Sequence, residues 1–593
     1  MLGRTDSRLR LVLLLAFVVV LSSILALRLA YWQLGQGDHL RRLAQAQLVQ
    51  PSATEIVRGD ITDRRGNVLA TTAYRDLLAA HPDLMTEQQR DETAAGLARI
   101  LGLADPEARA LRESFAPDRA YVVVARRLTE SQSEQVRAGV ADGDLHRLIL
   151  DAHAVRFYPS AGGSPDSTLA SQLLGFVTED GQGRYGVEQA GHDLLAGQSG
   201  ATALNSDTAP LPRAGGSVQL TIDASLQLRL ERELYAAWVA DRATRVSGVI
   251  MDPDSGAILA WASVPGYDAN DYAATAEKDP QLFADPIASQ VYEPGSVMKM
   301  FTAAAALERG VVGPQSLVED GKFLRLGTNQ VGNFDRRSMG SMTFEDAIAH
   351  SRNVATGRVA LSLGATVDDS SHALYDMWQR LGIGRPTGIE LAGEAIGLVA
   401  DPSTTRWQAI DLVNRAFGQA VAVTPLQLAT SFSAMVNGGT MPRAHLYAAL
   451  DGRVADVPVG ERVMSPELSA QLRQMMVHVV EEGPQYADET LIPGYVVGGK
   501  TGTAQIWDNR RKAWLDNVYN HTFVGFVGGR QPEAVIVVRI HDTEPRVERR
   551  WGMTLEMTSN ELFRRVALET IDVLDIAPQD TRLDPPVTAV DEE

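Results

Sequence analysis

The 593-residue sequence contains no cysteine. That absence excludes disulfide bonds, thiolate zinc sites, iron–sulfur clusters and a cysteine nucleophile. Positive charge is also scarce, because 74 acidic residues outnumber 55 lysines and arginines and give a net charge of −19. Such a charge opposes a broad phosphate-neutralising surface, so nucleic acid is not expected as a partner. The chemistry must therefore use oxygen or nitrogen nucleophiles.

Metal-ligand patterns are missing as well. No group of His, Asp and Glu residues has the spacing of a metal site, and no cofactor is expected. We expect structural rather than catalytic roles for His350 and His521, although both lie near motifs described below. Glu345 and Asp346 are expected to begin a solvated helix, where the macrodipole favours acidic residues.

Long apolar runs are scarce, which argues against a multi-span membrane protein, but one such run occupies residues 11–32. It just reaches the roughly 20 helical residues that a bilayer needs, with Arg28 snorkelling and an aromatic pair at its end. Arginines precede it, which places residues 1–10 in the cytoplasm and the rest of the chain outside it. A cleaved secretory signal is the competing interpretation, and it also leaves the body of the chain extracytoplasmic.

A chain of 593 residues exceeds one hydrophobic core, so two or more domains are expected. The best boundary is the Pro- and Gly-containing segment 212–216. Before it, residues 33–216 mix helical patterns, such as 86–101 and 129–140, with short strands, and predict an irregular α+β region.

Residues 217–576 predict a second unit, an antiparallel sheet flanked by helices. It opens with an amphipathic helix capped by Asp223, and a strand–turn–strand pattern over residues 248–261 predicts a β-hairpin. Later strands are predicted at 495–498, 522–527 and 534–540, and a closing helix at 561–574. The acidic residues 577–593 predict a disordered tail.

The first candidate for chemistry is Ser296, at the mouth of an Ala-rich helical pattern that ends at Gly310. Lys299 follows one helical turn later on the same face, so its amine can reach the hydroxyl. A serine needs a nearby base to become a nucleophile, and burial or neighbouring cations can keep a lysine uncharged. Alone, this pair is weak evidence, because serine and lysine are common and the simpler interpretation is a helix N-cap followed by a solvated lysine.

Two further motifs change that interpretation. Ser351-Arg352-Asn353 lies downstream, and Lys500-Thr501-Gly502-Thr503 follows a predicted strand. Together with Ser296 and Lys299, these match the trio of motifs found in serine β-lactamases and penicillin-binding proteins. A phosphate-binding loop at residues 498–502 is excluded, because its glycine spacing is wrong and the pattern continues as a strand rather than a helix.

The sequence resembles the class B penicillin-binding proteins, membrane-anchored peptidoglycan D,D-transpeptidases. The resemblance extends from the anchor to about residue 576. It includes an opening signature at residues 58–70 and further matches to the non-catalytic pedestal at 156–159, 174–175 and 186–188. Matches to the transpeptidase domain lie at 220–227, 252–256, 265–268 and 424–429. The implied fold is α+β, with a single transmembrane helix, an elongated pedestal or dimerisation-like domain over 33–216, and a β-lactamase-like transpeptidase domain over 217–576.

The resemblance also implies a role for each motif residue. Ser296 would attack a stem peptide, Lys299 would take its proton, Ser351 would relay a proton to the leaving amine, and Asn353 would hold the peptide and Lys299. Lys500 would attract the terminal carboxylate of the substrate and Thr501 would hydrogen-bond it. The strand backbone at Gly502 and Thr503 would bind the substrate by pairing with the extended stem peptide. The N–H groups of Ser296 and Thr503 would form the oxyanion hole.

The partners implied by the resemblance are peptidoglycan stem peptides or their lipid-linked precursor, β-lactam antibiotics, the bacterial cell membrane, a multi-span SEDS-type glycan polymerase and other divisome proteins. No separate glycosyltransferase domain precedes residue 216, so glycan polymerisation would come from a partner. Asn353 followed by Val354-Ala355 resembles the division type more than the elongation type. Two competing hypotheses are a β-lactam-binding scaffold or sensor without cross-linking activity, and a hydrolase acting as a β-lactamase or carboxypeptidase.

Overall fold

The computed structural model describes residues 15–23, 28, 57–198, 213–483, 487–508, 511–549 and 552–578. The predicted cytoplasmic tail 1–10, most of the predicted anchor 11–32 and nearly all of the predicted tail 577–593 lie outside those residues. Within the described ranges, no helix combines the length and apolar character needed to cross a membrane.

Residues 58–196 contain a small α+β layer built on three antiparallel strands. Strand β2 (Val68–Ala80) pairs with β3 (Val122–Ala125) on one side and β4 (Leu148–Phe157) on the other. Helices α1 (Glu87–Leu101), α2 (Asp105–Ser114) and α3 (Glu130–Asp142) pack on these strands through a core that includes Leu78, Leu97 and Val136. Thr86 and Thr129 cap α1 and α3, as their predicted starts require. The elements of this region are β1 (Ile61–Thr62), β2 (Val68–Ala80), α1 (Glu87–Leu101), α2 (Asp105–Ser114), β3 (Val122–Ala125), α3 (Glu130–Asp142), β4 (Leu148–Phe157), α4 (Ser171–Leu174), β5 (Phe176–Val177), β6 (Gly183–Arg184), α5 (Gly186–Ala190) and α6 (His192–Leu195).

Residues 216–578 form the larger part of the structure. Its elements before residue 350 are β7 (Val218–Leu220), α7 (Ala224–Asp241), β8 (Arg245–Met251), β9 (Ile258–Val264), α8 (Tyr272–Lys278), α9 (Pro286–Ser289), α10 (Lys299–Glu308), β10 (Leu317–Asp320), β11 (Phe323–Leu326), β12 (Asn329–Gly332), β13 (Gly340–Thr343) and α11 (Phe344–Ala349). The remaining ones are α12 (Asn353–Leu361), α13 (Val367–Arg380), α14 (Ala409–Ala416), α15 (Pro425–Val436), β14 (Thr440–Met441), β15 (Tyr447–Leu450), β16 (Arg453–Val454), β17 (Glu461–Arg462), α16 (Pro466–Glu482), α17 (Ala487–Thr490), β18 (Val496–Asp508), β19 (Ala513–Gly528), β20 (Pro532–Thr543), β21 (Val547–Arg549), β22 (Gly552–Thr554) and α18 (Ser559–Leu574).

The central sheet is antiparallel, with the strand order β18-β19-β20-β8-β9. Side chains alternate along each strand and feed two separate cores, because Val524, Phe526 and Val535 join one cluster while Phe523 and Ile536 join the other. Helices α15 and α16 cover the first face, and α7 and α18 cover the second. The predicted hairpin, late strands, closing helix and Asp223 cap are all confirmed, and so is the α+β class.

A seven-stranded sheet crosses the predicted boundary at residues 212–216. Strand β7 pairs in parallel with β1 and antiparallel with β15, in the order β16-β15-β7-β1-β2-β3, with β4 also on β2. Three strands from after the boundary thus join four from before it through the β7–β1 pair. The two parts therefore share backbone hydrogen bonds.

A buried ionic cluster joins three of the motifs in the first part of the chain. The Glu188 carboxylate is fully buried and accepts hydrogen bonds from Arg58 Nε at 2.7 Å and from Arg156 Nε at 2.6 Å. The Tyr158 hydroxyl donates to the same carboxylate at 3.3 Å. Buried charges persist only when they are paired and hydrogen-bonded, so these four residues hold one another in place.

Replacing Glu188 with Gln should destabilise the protein strongly, because two buried guanidinium groups would lose their counter-charge. We expect the free energy of unfolding to fall by about 3–5 kcal/mol, measured by urea denaturation. The matched control is Glu179→Gln, since Glu179 pairs with Arg126 at 3.3 Å on the surface and that loss should cost under about 1 kcal/mol. Equal losses in the two variants would contradict a structural role for the buried cluster.

Candidate active site

Ser296 lies in a short 3-10 turn, Gly295–Met298, which leads directly into α10. Two glycines let the backbone around this turn approach its neighbours. A Cβ atom on Gly418 would lie 1.9 Å from the carbonyl oxygen of Gly295, and one on Gly502 would lie 2.2 Å from the carbonyl oxygen of Pro294. Only a residue without a side chain fits at either position. The serine is thereby held between β18 and the segment after α14.

The amine of Lys299 is the centre of the site. Its Nζ lies 2.9 Å from Ser296 Oγ and 2.9 Å from Ser351 Oγ. It also donates to the carbonyl oxygen of Ser351 at 2.6 Å and to Oδ1 of Asn353 at 2.7 Å. The last two oxygens can only accept hydrogen bonds. They therefore occupy both N–H groups of an uncharged amine and leave its lone pair for a serine hydroxyl.

The surroundings of Lys299 favour that uncharged form. Burial lowers its pKa well below the ordinary value, and the neighbouring cations Lys500 and Arg352 lower it further, while Asp320 opposes them. The side chain is fully buried, so water does not restore the charge. The amine can therefore accept a proton from Ser296 near neutral pH.

Lys500 and Thr501 meet the same site from strand β18, which is the edge strand of the central sheet. Lys500 Nζ lies 3.3 Å from Ser351 Oγ and 3.3 Å from Thr501 Oγ1. Burial lowers the pKa of Lys500 to about 7. Thr501 and Thr503, two residues apart, face outward from the strand, whereas Gly502 is buried against the serine turn.

All of the predicted site residues thus come together. A cavity of about 470 Å³ is lined by Ser296, Ser351, Asn353, Thr501 and Thr503, with the lysines beneath it. Its other walls are formed by Glu293, Gly295, Phe334, Asp335, Arg336, Ala349, His350, Arg352, Phe417, Gln419, Ala504, Gln505 and Tyr519. His350 lines this cavity, and Asp346 begins α11 and contacts His478 at 2.8 Å.

Arg352 is a site residue that motif reasoning missed. Its guanidinium is buried between Asp320 and Asp335, with hydrogen bonds of 2.9 Å to each, and it also donates to the carbonyl oxygen of Arg337 at 2.6 Å. These contacts fix the segment 333–337 at the wall of the cavity. Phe334 in that segment lines the cavity and is 87% exposed. Asp320 and Asp335 lie 32 and 17 residues before Arg352 in the sequence. The spacing within the Ser351-Arg352-Asn353 motif therefore gives no signal for these contacts.

Ser351 adopts an unusual backbone conformation. Its φ angle is 55°, in the left-handed region that a residue with a side chain rarely adopts. Such strain persists only where the surroundings enforce it and is concentrated at functional sites. Here the flanking Arg352 and Asn353 are both fixed by hydrogen bonds, so the Ser351 carbonyl and hydroxyl both reach Lys299.

Two family models match separate ranges of the chain. The model of the penicillin binding protein transpeptidase domain matches residues 246–566. The model of the penicillin-binding protein dimerisation domain matches residues 54–210. The first match covers more than half of the chain and contains every residue of the catalytic cluster.

Similarity to individual proteins extends over most of the chain. Penicillin-binding protein PbpB of Mycolicibacterium smegmatis is 28% identical over 88% of this chain and 84% of that protein. Peptidoglycan D,D-transpeptidase FtsI of Escherichia coli is 27% identical over 90% of this chain and 87% of that protein. Penicillin binding protein 3 of Mycobacterium tuberculosis superposes in its apo form with a TM-score of 0.65 and 25% identity, covering 90% of this chain and 98% of that one. From its matched domains and the geometry of its site, the chain belongs to the penicillin-binding protein transpeptidase family.

Proposed function

We propose that this protein is a peptidoglycan D,D-transpeptidase that cross-links stem peptides through an acyl-serine intermediate and is acylated by β-lactams. The observation that carries the proposal is the Lys299 amine, 2.9 Å from Ser296 Oγ, with two acceptor-only oxygens on its other side. The resemblance to proteins named as D,D-transpeptidases supports the substrate class.

The first half of the reaction forms the ester. Ser296 Oγ attacks the carbonyl carbon of the penultimate D-alanine while Lys299 takes the hydroxyl proton. The carbon–nitrogen bond to the terminal D-alanine breaks, and Ser351 relays a proton to the leaving amine. The contacts of Ser351 Oγ with Lys299 at 2.9 Å and Lys500 at 3.3 Å support this relay.

Binding and charge stabilisation come from β18. The Lys500 ammonium and the Thr501 hydroxyl hold the terminal carboxylate, Asn353 holds the donor peptide, and the strand backbone at Gly502 and Thr503 pairs with the extended stem. The N–H groups of Ser296 and Thr503 stabilise the oxyanion. A Cβ atom on Gly295 would lie 2.8 Å from the Thr503 carbonyl oxygen. The backbone of the Ser296 turn therefore lies close to that of Thr503, which supports a shared oxyanion hole.

We further propose that residues 11–32 anchor the chain in the bacterial cell membrane, with residues 1–10 in the cytoplasm and the catalytic part outside. Residues 33–216 then serve as the pedestal and residues 217–576 as the transpeptidase domain, followed by a tail at 577–593. Its partners, besides the lipid-linked precursor, are a SEDS-type polymerase and other divisome proteins. The charge flanking the apolar run and the family resemblance support this arrangement.

The division role is proposed over the elongation role. Relatives named FtsI and stage V sporulation protein D support it, as does the Asn353-Val354-Ala355 pattern. A scaffold or sensor without catalysis is disfavoured, because the serine, both lysines and Asn353 are all retained in contact. Depletion in the native host separates the roles, since filamentation indicates division and rounding indicates elongation.

The experiment that tests the chemistry is adduct mapping on the full-length chain in detergent. After incubation with a fluorescent penicillin and proteolysis, mass spectrometry should place the acyl group on the peptide that contains Ser296. An adduct on any other peptide, or no adduct on folded protein, would overturn the proposal.

The pKa of Lys500 predicts the alkaline limb of the reaction. With a pKa of about 7, Lys500 is charged below that pH and loses its charge above it. The second-order rate constant for penicillin acylation, which reports the free enzyme, should therefore fall as the pH rises through about 7. Lys500→Arg keeps a charged group and should move the fall to higher pH. An identical profile for the two proteins would contradict carboxylate binding by a charged Lys500.

A further inference from the structure

A second cavity adjoins the one that contains the nucleophile. It has a volume of about 580 Å³ and shares four wall residues with the first cavity, namely Phe334, Thr501, Thr503 and Tyr519. Ser296 lines the first cavity and is not part of the second. Beyond the shared wall, the second cavity extends over β19, the segment after β20 and the start of α18, where its lining includes Asn517, His521, Glu544, Thr554 and Asn560.

The proposed reaction needs room for a second peptide. Once D-alanine has left, another amine must reach the same carbonyl carbon. That step is the first step in reverse with a different amine, so the incoming nitrogen follows the path of the departing one. The departing D-alanine has its carboxylate at Thr501, and Thr501 is a residue that both cavities share.

The charges of the second cavity suit an amine. Glu489 and Arg549 are paired at 2.6 Å and neutralise one another. Glu544 is exposed at the cavity wall and has no hydrogen-bond or ion-pair partner among the residues that the structure describes. An amino group arrives from water as an ammonium ion, which an unpaired carboxylate attracts.

His521 adds a neutral polar group beside the shared wall. It lies directly opposite Thr503 in the β18–β19 register, and its enclosed Nε2 has no hydrogen-bond partner within the described ranges. Burial lowers its pKa to about 4, so the ring is uncharged at neutral pH and does not repel an ammonium. The Lys500 side of the first cavity, by contrast, suits a carboxylate.

We propose that the second cavity is the acceptor subsite, in which Glu544 attracts and orients the amino group of the incoming stem peptide. This inference rests on the proposed transpeptidase function. The ammonium releases one proton to solvent, and the neutral nitrogen then bonds to the acyl carbon. The carbon–oxygen bond to Ser296 breaks, and the surplus proton on nitrogen passes through Lys299 to Ser296 Oγ, which restores the enzyme.

The test separates use of the acceptor from acylation by the donor. The full-length chain in detergent is given a D-alanyl thioester donor and a stem tripeptide with a free lysine side-chain amine, and the ratio of aminolysis to hydrolysis is measured against acceptor concentration. Glu544→Gln should raise the acceptor concentration needed for equal partition by about tenfold, and Glu544→Lys by about a hundredfold. Penicillin acylation should stay within about twofold, and high salt should shrink the difference.

The matched control is Glu548→Gln, an exposed carboxylate on β21 that lies outside both cavities and should leave the partition unchanged. An unchanged ratio of aminolysis to hydrolysis in both Glu544 variants would overturn the inference. A loss of donor acylation as large as the change in that ratio would also overturn it, because the cavity would then be a donor site. Failure of the proposed function gives a different result, because the unmodified chain would then hydrolyse the donor but form no aminolysis product at any acceptor concentration.

Discussion

Ser296→Ala should abolish covalent labelling by penicillin, with the acylation rate falling by at least about 10⁴-fold. The substitution removes Ser296 Oγ, which lies 2.9 Å from Lys299 Nζ. Without that oxygen no ester can form at this position. Removing a catalytic serine elsewhere costs rate on this scale, and what remains is non-covalent binding. The measurement is the time course of labelling by a fluorescent penicillin, read by gel and by intact mass.

Ser362→Ala is the matched control for that experiment. Ser362 is exposed at the end of α12 and donates to the carbonyl oxygen of Arg358, away from the site. This variant should label at the rate of the unmodified chain. Both variants should keep the melting temperature, because each loses only one hydroxyl group. A folded alanine variant at position 296 that still became labelled would refute the assignment of the nucleophile.

Lys299→Met should slow acylation by about 10³–10⁴-fold without removing the nucleophile. The hydroxyl of Ser296 would remain, but no lone pair would be available to take its proton. Slow labelling should therefore persist, still map to Ser296, and rise with pH as hydroxide replaces the missing base. Rate constants for penicillin acylation across a pH series measure both effects.

Folding must be checked for this variant, because the carbonyl oxygen of Ser351 and Oδ1 of Asn353 would lose their donor. Unsatisfied buried acceptors cost about 1–3 kcal/mol each, so the melting temperature is measured alongside the rates. Lys278→Met, on the exposed surface of α8, is the control and should change neither quantity. A folded Lys299 variant that acylates within tenfold of the unmodified rate would contradict a proton-accepting role for Lys299.

Local sequence patterns were sufficient for the elements whose signals are local. The Asp223 cap, the hairpin of β8 and β9 and the strand nature of residues 503–507 follow from capping, alternation and turn residues, and the structure contains each of them. The contact between Ser296 and Lys299 also follows from their local spacing. Their convergence with Ser351 and Lys500 came instead from the combination of motifs with a family resemblance, because no spacing rule brings such distant residues together.

Features that depend on pairing between distant segments could not be predicted. The contacts of Arg352 with Asp320 and Asp335 join residues 32 and 17 positions apart, and an arginine between two motif residues gives no sign of them. The position of His521 opposite Thr503 is a matter of strand register, which is set by the whole sheet rather than by either strand. The second cavity, which His521 lines, could not be predicted either, because its walls come from segments that are far apart in the sequence.

The insertion of β7 between β1 and β15 bears on how such chains can evolve. If the first 216 residues were exchanged between relatives, the incoming segment would have to fold and also supply a β1 strand whose backbone donors and acceptors match those of β7. A mismatched graft would leave an open strand edge at the seam, and open edges invite pairing with other molecules. Recombination within this lineage should therefore favour crossovers that keep β1, β7 and β15 from one parent.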